Sequence, residues 1–408
     1  MEEARRLTKT EISWILYDVA SSAFTMLVST TIPLFFAQLV EEAGMDASTA
    51  SGLWGLVTAA AVLILAVLSP ILGAVADYRG MKRRLFLGAL VLGLLGAVGL
   101  ACTTHWLWFL WIFVAARLGY SACNVFYDSM LTDVTTDQRM DMVSSHGYAW
   151  GYVGSCVPFI AGIAVLFVTG MSTRGFQISF LITAAWWLLL SFPLLKNVRQ
   201  VHYLEGRPES PRQIFHRVGE TFRKIRGQKK LLYYILGYFC YIDGVYTIIS
   251  MATSYGNELG IDTVQMILAL LLTQFVAFPC AIASGILSRR WGPLRLIKAF
   301  ILCYIAICLF GYQLDQVWEF WVLAVAVGMC QGGIQALSRS YFGKLIPKEE
   351  SNEYFGFFDI FGKFADFMGP LIISFCALAL GSSTYGILAL VALFVLGYVL
   401  VRRSEKEG

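Results

Sequence analysis

The sequence predicts an all-α integral membrane protein whose twelve transmembrane helices form two pseudo-symmetric bundles of six, with both termini on the cytoplasmic side. Three observations predict it. Hydrophobic residues make up 58% of the 408-residue chain and charged residues only 14%, against roughly 45–50% and roughly 25% in soluble domains. The apolar residues gather in stretches near the ~20 residues that cross ~30 Å of hydrocarbon. Lysine and arginine crowd alternate connections, which sets orientation by the positive-inside rule.

The first six stretches lie near 12–40, 50–77, 85–103, 107–132, 144–169 and 175–195. The second six lie near 230–256, 263–288, 294–313, 317–343, 352–380 and 384–401. The expected domains are therefore a six-helix bundle over 1–195, a cytoplasmic linker over 196–229 and a second bundle over 230–408. The even connections carry "RGMKRR" (79–84), Arg139, Arg289 and Arg290 with Arg295, then Lys344 and Lys348. The odd ones are acidic or neutral, as in "EEAGMDASTA" (41–50), "NELGIDT" (257–263) and "DQVWE" (315–319), with Arg174 the exception. The first residues, "MEEARRLTKTEISW", read as a charged lead into a full-length span and not as a cleavable signal. In the linker, "SPRQIFHRVGETFRKIRG" (210–227) opens on Ser-Pro and places Ile214, Val218, Phe222 and Ile225 on one face against Arg and Lys on the other. That pattern fits a basic amphipathic helix on the anionic inner leaflet, or a docking site for a partner.

Composition excludes several classes. The net charge of +4 follows from the inner-face basic load and not from nucleic-acid binding. All nine cysteines lie in apolar runs, where thiols act as small hydrophobes, and no spacing suits a metal. No strand precedes the glycine clusters, so no phosphate loop forms and no cofactor is expected. Gly147, Gly151 and Gly154, like Gly332 with Gly333 and Gly356 with Gly362, have the small-residue character of close helix packing. Pro33, Pro70, Pro158, Pro279 and Pro370 are expected to bend helices. His105, His146, His202 and His216 fall at or outside interfaces and are assigned no chemistry. No nucleophile–base or metal-hydrolase motif appears, so an intramembrane enzyme is not expected.

One loop narrows the class. "GAVADYRGMKRR" (73–84) places Gly73, Asp77, Gly80, Lys82 and Arg83 in a Gly-x-x-x-Asp-x-x-Gly-x-basic-basic pattern, with Asp77 free to pair with basic loop residues or a neighbouring helix end. It resembles the signature loop between the second and third helices of the major facilitator superfamily. The corresponding stretch of the second half, "GILSRRWGPLR" (285–295), keeps Gly285 and Gly292 but has Arg289 where the acid would stand. "LYDVASSAF" (16–24), "SSHGYAWGYVG" (144–154) and "GGIQALSRSYFGKLIPKEESNEYFGFFDIFGKFADFMGP" (332–370) resemble the vacuolar effluxer-like branch of that superfamily. That branch holds fungal vacuolar amino-acid exporters linked to autophagy and bacterial transporters of largely unknown substrate. The resemblance implies the major facilitator fold, with spans 1, 4, 7 and 10 lining a central cavity.

Polar residues collect on those spans. Asp18 lies on span 1; Arg117, Asn124, Tyr127 and Asp128 on span 4; Asp243 on span 7; Gln331, Gln335 and Arg339 on span 10. Asn124 and Asp128 share a face, as do Gln331, Gln335 and Arg339. Span 11 adds Asp359, Lys363 and Asp366, spaced four and three apart, so the lysine faces either acid. Charges inside a bilayer cost ~2.5–3.5 kcal/mol each on insertion scales and mark functional sites by default. Asp18, Arg117, Asn124, Tyr127, Asp243, Gln331, Gln335 and Asp366 are expected on the substrate and proton pathway. Asp128, Arg339, Asp359 and Lys363 are expected at a cytoplasmic gate, with Asp18 and Asp128 of one half facing Arg339 and Lys363 of the other. The plainer readings stay open: Asp18 and Asp128 as interfacial caps, Arg117 as partner of a substrate carboxylate, the span 11 charges as a fixed triad.

The expected activity is secondary transport of a small polar solute, an amino acid or similar zwitterion, with efflux as one direction. It would proceed by alternating access in a monomer of the plasma or inner membrane and be driven by protons. The alternative on the same fold is a lipid or glycolipid translocator.

Overall fold

The computed structural model describes residues 6–206, 210–258, 260–313, 316–380 and 384–407. They form helices α1 (Lys9–Ser29), α2 (Thr31–Glu42), α3 (Ala47–Ala76), α4 (Met81–Cys102), α5 (Trp106–Val134), α6 (Asp137–Val168) and α7 (Thr173–Asn197). After α8 (Pro211–Gly227) come α9 (Lys229–Glu258), α10 (Thr263–Trp291), α11 (Pro293–Tyr312), α12 (Val317–Leu345), α13 (Ser351–Leu380) and α14 (Thr384–Lys406). The one extended pairing among the described residues is an isolated parallel bridge, Tyr78 with Leu204. Eleven helical segments among the described residues are long and apolar enough to span a bilayer, with α1 and α2 counted as one. The α13 helix is 30 residues long but is not among those eleven.

Local rules explain several boundaries. Thr8 and Glu11 form a reciprocal capping box that starts α1: Glu11 N donates to Thr8 Oγ1 at 3.2 Å and Thr8 N to Glu11 Oε2 at 2.7 Å. The first span is interrupted at Thr30 (φ −132°, ψ −73°), four residues after Met26 and three before Pro33. Pro33 lacks an N–H and its ring crowds the carbonyl four residues back, so the interruption falls before the proline. Gly80 has φ +74°, a left-handed value open to glycine, and turns the chain from α3 into α4. The α6 helix starts at Asp137, seven residues before the expected 144, with Thr136 as its N-cap residue and Asp137 in its first turn. Pro211 opens α8 at its first position, where the missing N–H costs nothing. Ile214, Thr221 and Ile225 of α8 are buried, and the helix packs on α9.

The chain divides into two compact units. Unit 1 holds Met1–Thr136, Trp150–Ser210 and Pro347–Gly356; unit 2 holds Asp137–Ala149, Pro211–Ile346 and Phe357–Gly408. Within unit 1, α1 packs on α7, α4 on both α5 and α7, and α3 on α5. Within unit 2, α9 packs on α14, α11 on both α12 and α14, and α10 on α12. Counted as spans, the same ordinal pairs recur in both: first on sixth, third on fourth and sixth, second on fourth. Exposed apolar side chains such as Leu95, Leu189, Phe192, Leu302 and Phe375 give both units a surface suited to lipid.

Candidate functional site

The helices α6 and α13, fifth and eleventh in span order, each begin in one unit and continue in the other. Their first turns meet polar side chains that a soluble loop would leave to water. In unit 1 the start of α13 sits on the end of α3. Asp77 accepts from Asn352 N and Asn352 Nδ2, each at 2.9 Å, and from Glu353 N at 3.3 Å. A helix N-terminus has unsatisfied N–H groups and a positive dipole end, so a carboxylate is the natural partner. Ser129 of α5 donates to Asn352 Oδ1 at 2.5 Å. The approach depends on Gly73, where a Cβ would press on the Asn352 carbonyl and lie 2.8 Å from Glu353 Cα. Gly356 likewise rests on Ser69 and Pro70 of α3.

Beneath this clasp, Lys82 Nζ donates to Asp133 Oδ2 at 2.6 Å, and both side chains are almost fully buried, at 1% and 0% exposed. Asp133 is satisfied on its other oxygen by Val201 N and His202 N, each at 2.9 Å. Residues 200–205 strap the signature loop. Gln200 Nε2 donates to Ala76 O at 3.1 Å while Gly80 N donates to Gln200 Oε1 at 2.9 Å. Leu204 N donates to Asp77 O at 2.8 Å, and Arg79 stacks 5.3 Å over the Tyr203 ring.

In unit 2 the start of α6 meets α10 and α12. Asp141 accepts from Ser340 Oγ at 2.7 Å and from Lys344 Nζ at 2.5 Å. Arg339 donates Nε to Ser144 Oγ at 3.0 Å and Nη2 to Ser144 O at 3.2 Å, and its guanidinium lies 4.3 Å over the Tyr148 ring. Gly285 of α10 gives the close approach, since a Cβ there would lie 2.7 Å from Ser145 Cβ. Arg289, standing where the signature acid would be, donates to Met142 Sδ at 3.2 Å.

Deeper in each unit a carboxylate of the first helix lies at a crossing with the fifth. Asp18 of α1 is buried and accepts from Tyr127 Oη at 2.9 Å. Tyr127 is itself fixed by Trp14, whose ring stacks at 4.4 Å and whose Nε1 donates to Tyr127 O at 2.9 Å. A Cβ at Gly151 of α6 would lie 3.4 Å from Asp18 Oδ1. Asp243 of α9 is buried, and a Cβ at Gly369 of α13 would lie 2.9 Å from Asp243 Oδ1. Close by on α9, Tyr241 Oη pairs with Ser338 Oγ at 2.6 Å and Tyr234 Oη donates to Ser338 O at 2.9 Å.

The remaining expected residues are placed as follows. Arg117 is half-buried, with its guanidinium 5.9 Å over Tyr120, and Asn124 and Asp128 are half-buried further along α5. Gln331 and Gln335 are buried on α12. Lys363 Nζ pairs with Asp359 Oδ1 at 3.1 Å, one turn apart on α13. Asp366 lies outside the residues whose side chains the structure describes. Asp133, Asp141, Ser144, Asn352 and Glu353 were not singled out from sequence: Asp133 and Asp141 fall just outside the expected spans, and Ser144, Asn352 and Glu353 at their first residues. A capping signal was there to read in "TTDQRMD", where Thr136 stands at the N-cap position and Asp137 opens the first turn of α6.

Residues 132–407 match the family model described as vacuole effluxer Atg22 like. The MFS-type transporter YxiO of Bacillus subtilis is 42% identical over 418 residues, which cover 99% of this chain and 96% of that one. Autophagy-related protein 22 of Yarrowia lipolytica is 25% identical over 280 residues, 59% of this chain and 46% of the fungal protein. Among solved structures, a bacterial homologue of the iron transporter ferroportin in outward-facing state aligns with TM-score 0.73 at 15% identity, over 97% of this chain and 99% of that one. The E. coli fucose:proton symporter FucP aligns with TM-score 0.72 at 16% identity, over 97% of each. At such identities the likeness is one of fold.

Proposed function

The chain belongs to the vacuole effluxer Atg22-like family of MFS-type transporters, and from that premise we propose that it exports a small polar solute, an amino acid or similar zwitterion, by proton-coupled alternating access. In this reading α13 also crosses the membrane and brings the crossings to twelve, both termini lie in the cytoplasm, and the protein works as a monomer in the cell membrane. The observation that carries it is the repeated crossing of a buried first-helix carboxylate with a fifth-helix glycine, Asp18 with Gly151 and Asp243 with Gly369. A carboxylate in such a place is costly unless it is used, and glycine leaves the facing helix free to slide against it without a side chain in the way. Asp18 and Asp243 then exchange protons as each crossing opens to water, while Arg117 and the buried Gln331 and Gln335 offer partners to a zwitterion's carboxylate and ammonium.

The gate is proposed at the two clasps. Asp77 with the start of α13, and Asp141 with Lys344, join segments that are distant in sequence, and their release and reformation would accompany the transport cycle. Asp128, Arg339, Asp359 and Lys363 are proposed as further members of that gate.

Purified protein in proteoliposomes tests the reading. Ligand-induced thermal shifts across amino acids, peptides and sugars select the solute, and its flux is then followed with an imposed pH gradient. Flux should rise with the gradient and lose that dependence in Asp243→Asn and in Asp18→Asn. Flux indifferent to both the gradient and the substitutions rejects proton coupling; binding of lipids alone in the screen favours the lipid translocator.

A further inference from the structure

A recess in unit 1 has no part in the reading above. It is shallow and partly open, lies where the start of α4 meets the end of α7, and has a cavity volume of about 10 Å³. Lys82, Arg83 and Arg199 supply its charge, and Phe86, Leu194 and Val198 supply apolar walls. The charge is not balanced. Lys82 is committed to Asp133, and Asp133 is in turn filled by Lys82 and two backbone N–H groups. Arg83 and Arg199 are exposed, and neither makes an ion pair among the described residues. Two guanidiniums, Arg83 from α4 and Arg199 from just past the end of α7, therefore line one opening with no acid left to receive an ammonium group.

The surface leading away from the recess is apolar. Leu87 and Val91 follow Arg83 at four-residue steps along α4, and both are exposed. On α7, Phe192 and Leu188 precede Arg199 and are exposed as well. Helices α4 and α7 pack on each other, so the two stripes flank one seam. A paired anion-binding head above an apolar seam has the shape of a phospholipid, and basic pockets between transmembrane helices are known places for anionic headgroups. Arginine suits the role because its planar fork meets phosphate oxygens two at a time. The other half contrasts with this at the start of α11 and the end of α14, where Lys298 is neutralised by Glu405 at 2.5 Å.

We propose that the recess between α4 and α7 is a binding site for a phospholipid of net negative charge, its phosphate held by Arg83 and Arg199 and one acyl chain lying along the α4–α7 seam. A zwitterionic lipid is disfavoured there because its ammonium finds no carboxylate.

The full-length protein, stripped of lipid in an uncharged detergent, is mixed with phosphatidylglycerol or phosphatidylcholine and read by native mass spectrometry. Wild type should hold one phosphatidylglycerol and no phosphatidylcholine. With each arginine worth ~1 kcal/mol at a membrane surface, Arg83→Gln with Arg199→Gln should lower occupancy about tenfold or more. The charge-matched pair Arg402→Gln with Arg403→Gln, at the end of α14, should leave occupancy unchanged, and Arg83→Lys with Arg199→Lys should retain most of it. Four results would overturn the site: full occupancy in the Arg83/Arg199 double glutamine variant, equal loss in both glutamine pairs, equal binding of phosphatidylcholine, or displacement of the lipid by excess inorganic phosphate. The last would assign the arginines to a soluble anion.

Discussion

In unit 1 the start of α13 is received by Asp77 through backbone and amide N–H groups, next to a buried Lys82–Asp133 pair. In unit 2 the start of α6 carries the acid itself, Asp141, and α12 brings the cation, Lys344, whose side chain is 21% exposed. The geometry is otherwise alike, with Gly73 and Gly285 giving the close approach and Ser129 and Ser340 donating a hydroxyl. The second-half copy of the signature loop is therefore altered in a particular way. Arg289 replaces the acid at the end of α10, and a carboxylate appears on the incoming helix instead. A repeated fold can keep a contact while moving its charge to the other partner. The two versions should differ in how much they depend on burial and how much on solvent.

The ion pairs give the largest contrast. Removing one partner of a buried pair strands the other charge and costs about 3–5 kcal/mol, whereas partly exposed pairs are worth about 1 kcal/mol or less. Lys82→Met should therefore lower the thermal midpoint of the purified protein severely and Lys344→Met only slightly. Equal losses would mean that the two clasps are not different in kind. Next in size is the carboxylate itself. Asp77→Ala leaves three N–H donors at the start of α13 without their acceptor, at about 1–3 kcal/mol for each unmet group. Asp141→Ala should cost less, because Ser340 Oγ already donates to Leu337 O at 3.1 Å and Lys344 reaches water.

These expectations also mark what could be read in the sequence. Helical character, the apolar spans and the signature loop followed from composition, length and the Gly73–Arg83 pattern, all local properties. Asp18, Asp243 and Arg339 stood out because a charge within an apolar run is visible wherever its partner lies. The clasps were not visible in that way. Asp77 and Asn352 are 275 residues apart, and no spacing rule links them. Asp141 was missed for a second reason: "TTDQRMD" reads as an interfacial loop by hydropathy, although its Thr136 and Asp137 mark a helix start. For Asp77 the sequence allowed either basic loop residues or a helix end, and the structure places it on the helix end. Within its own unit Arg339 donates to Ser144, which stands at the expected start of span 5 and is visible in no spacing rule.

Glycine offers a smaller test of the same contrast. A methyl group at residue 73 meets main-chain atoms of Asn352 and Glu353, which cannot turn aside, while at residue 285 it meets the side chain of Ser145. Overpacking costs typically ~1–3 kcal/mol, with the upper end expected where backbone must move. Gly73→Ala should impair transport more than Gly285→Ala, and Gly285→Ala should recover when combined with Ser145→Gly. Failure of that rescue would place the constraint at Asp141 O, 3.3 Å from the same position, and not at the serine.

The smallest effect is the most diagnostic. Raising ionic strength from about 0.01 M to about 1 M shortens the Debye length from ~30 Å to ~3 Å, and this weakens charges that solvent reaches while leaving buried ones nearly untouched. Lys344 meets that condition at 21% exposed and Lys82, at 1%, does not. A double-mutant cycle on Asp141 and Lys344 should give a coupling of under about 1 kcal/mol that shrinks further in high salt. The cycle on Asp133 and Lys82 should give a larger value that salt leaves alone. If both couplings fall together, water enters the unit 1 clasp, and its difference from unit 2 is one of residue identity without a difference in environment.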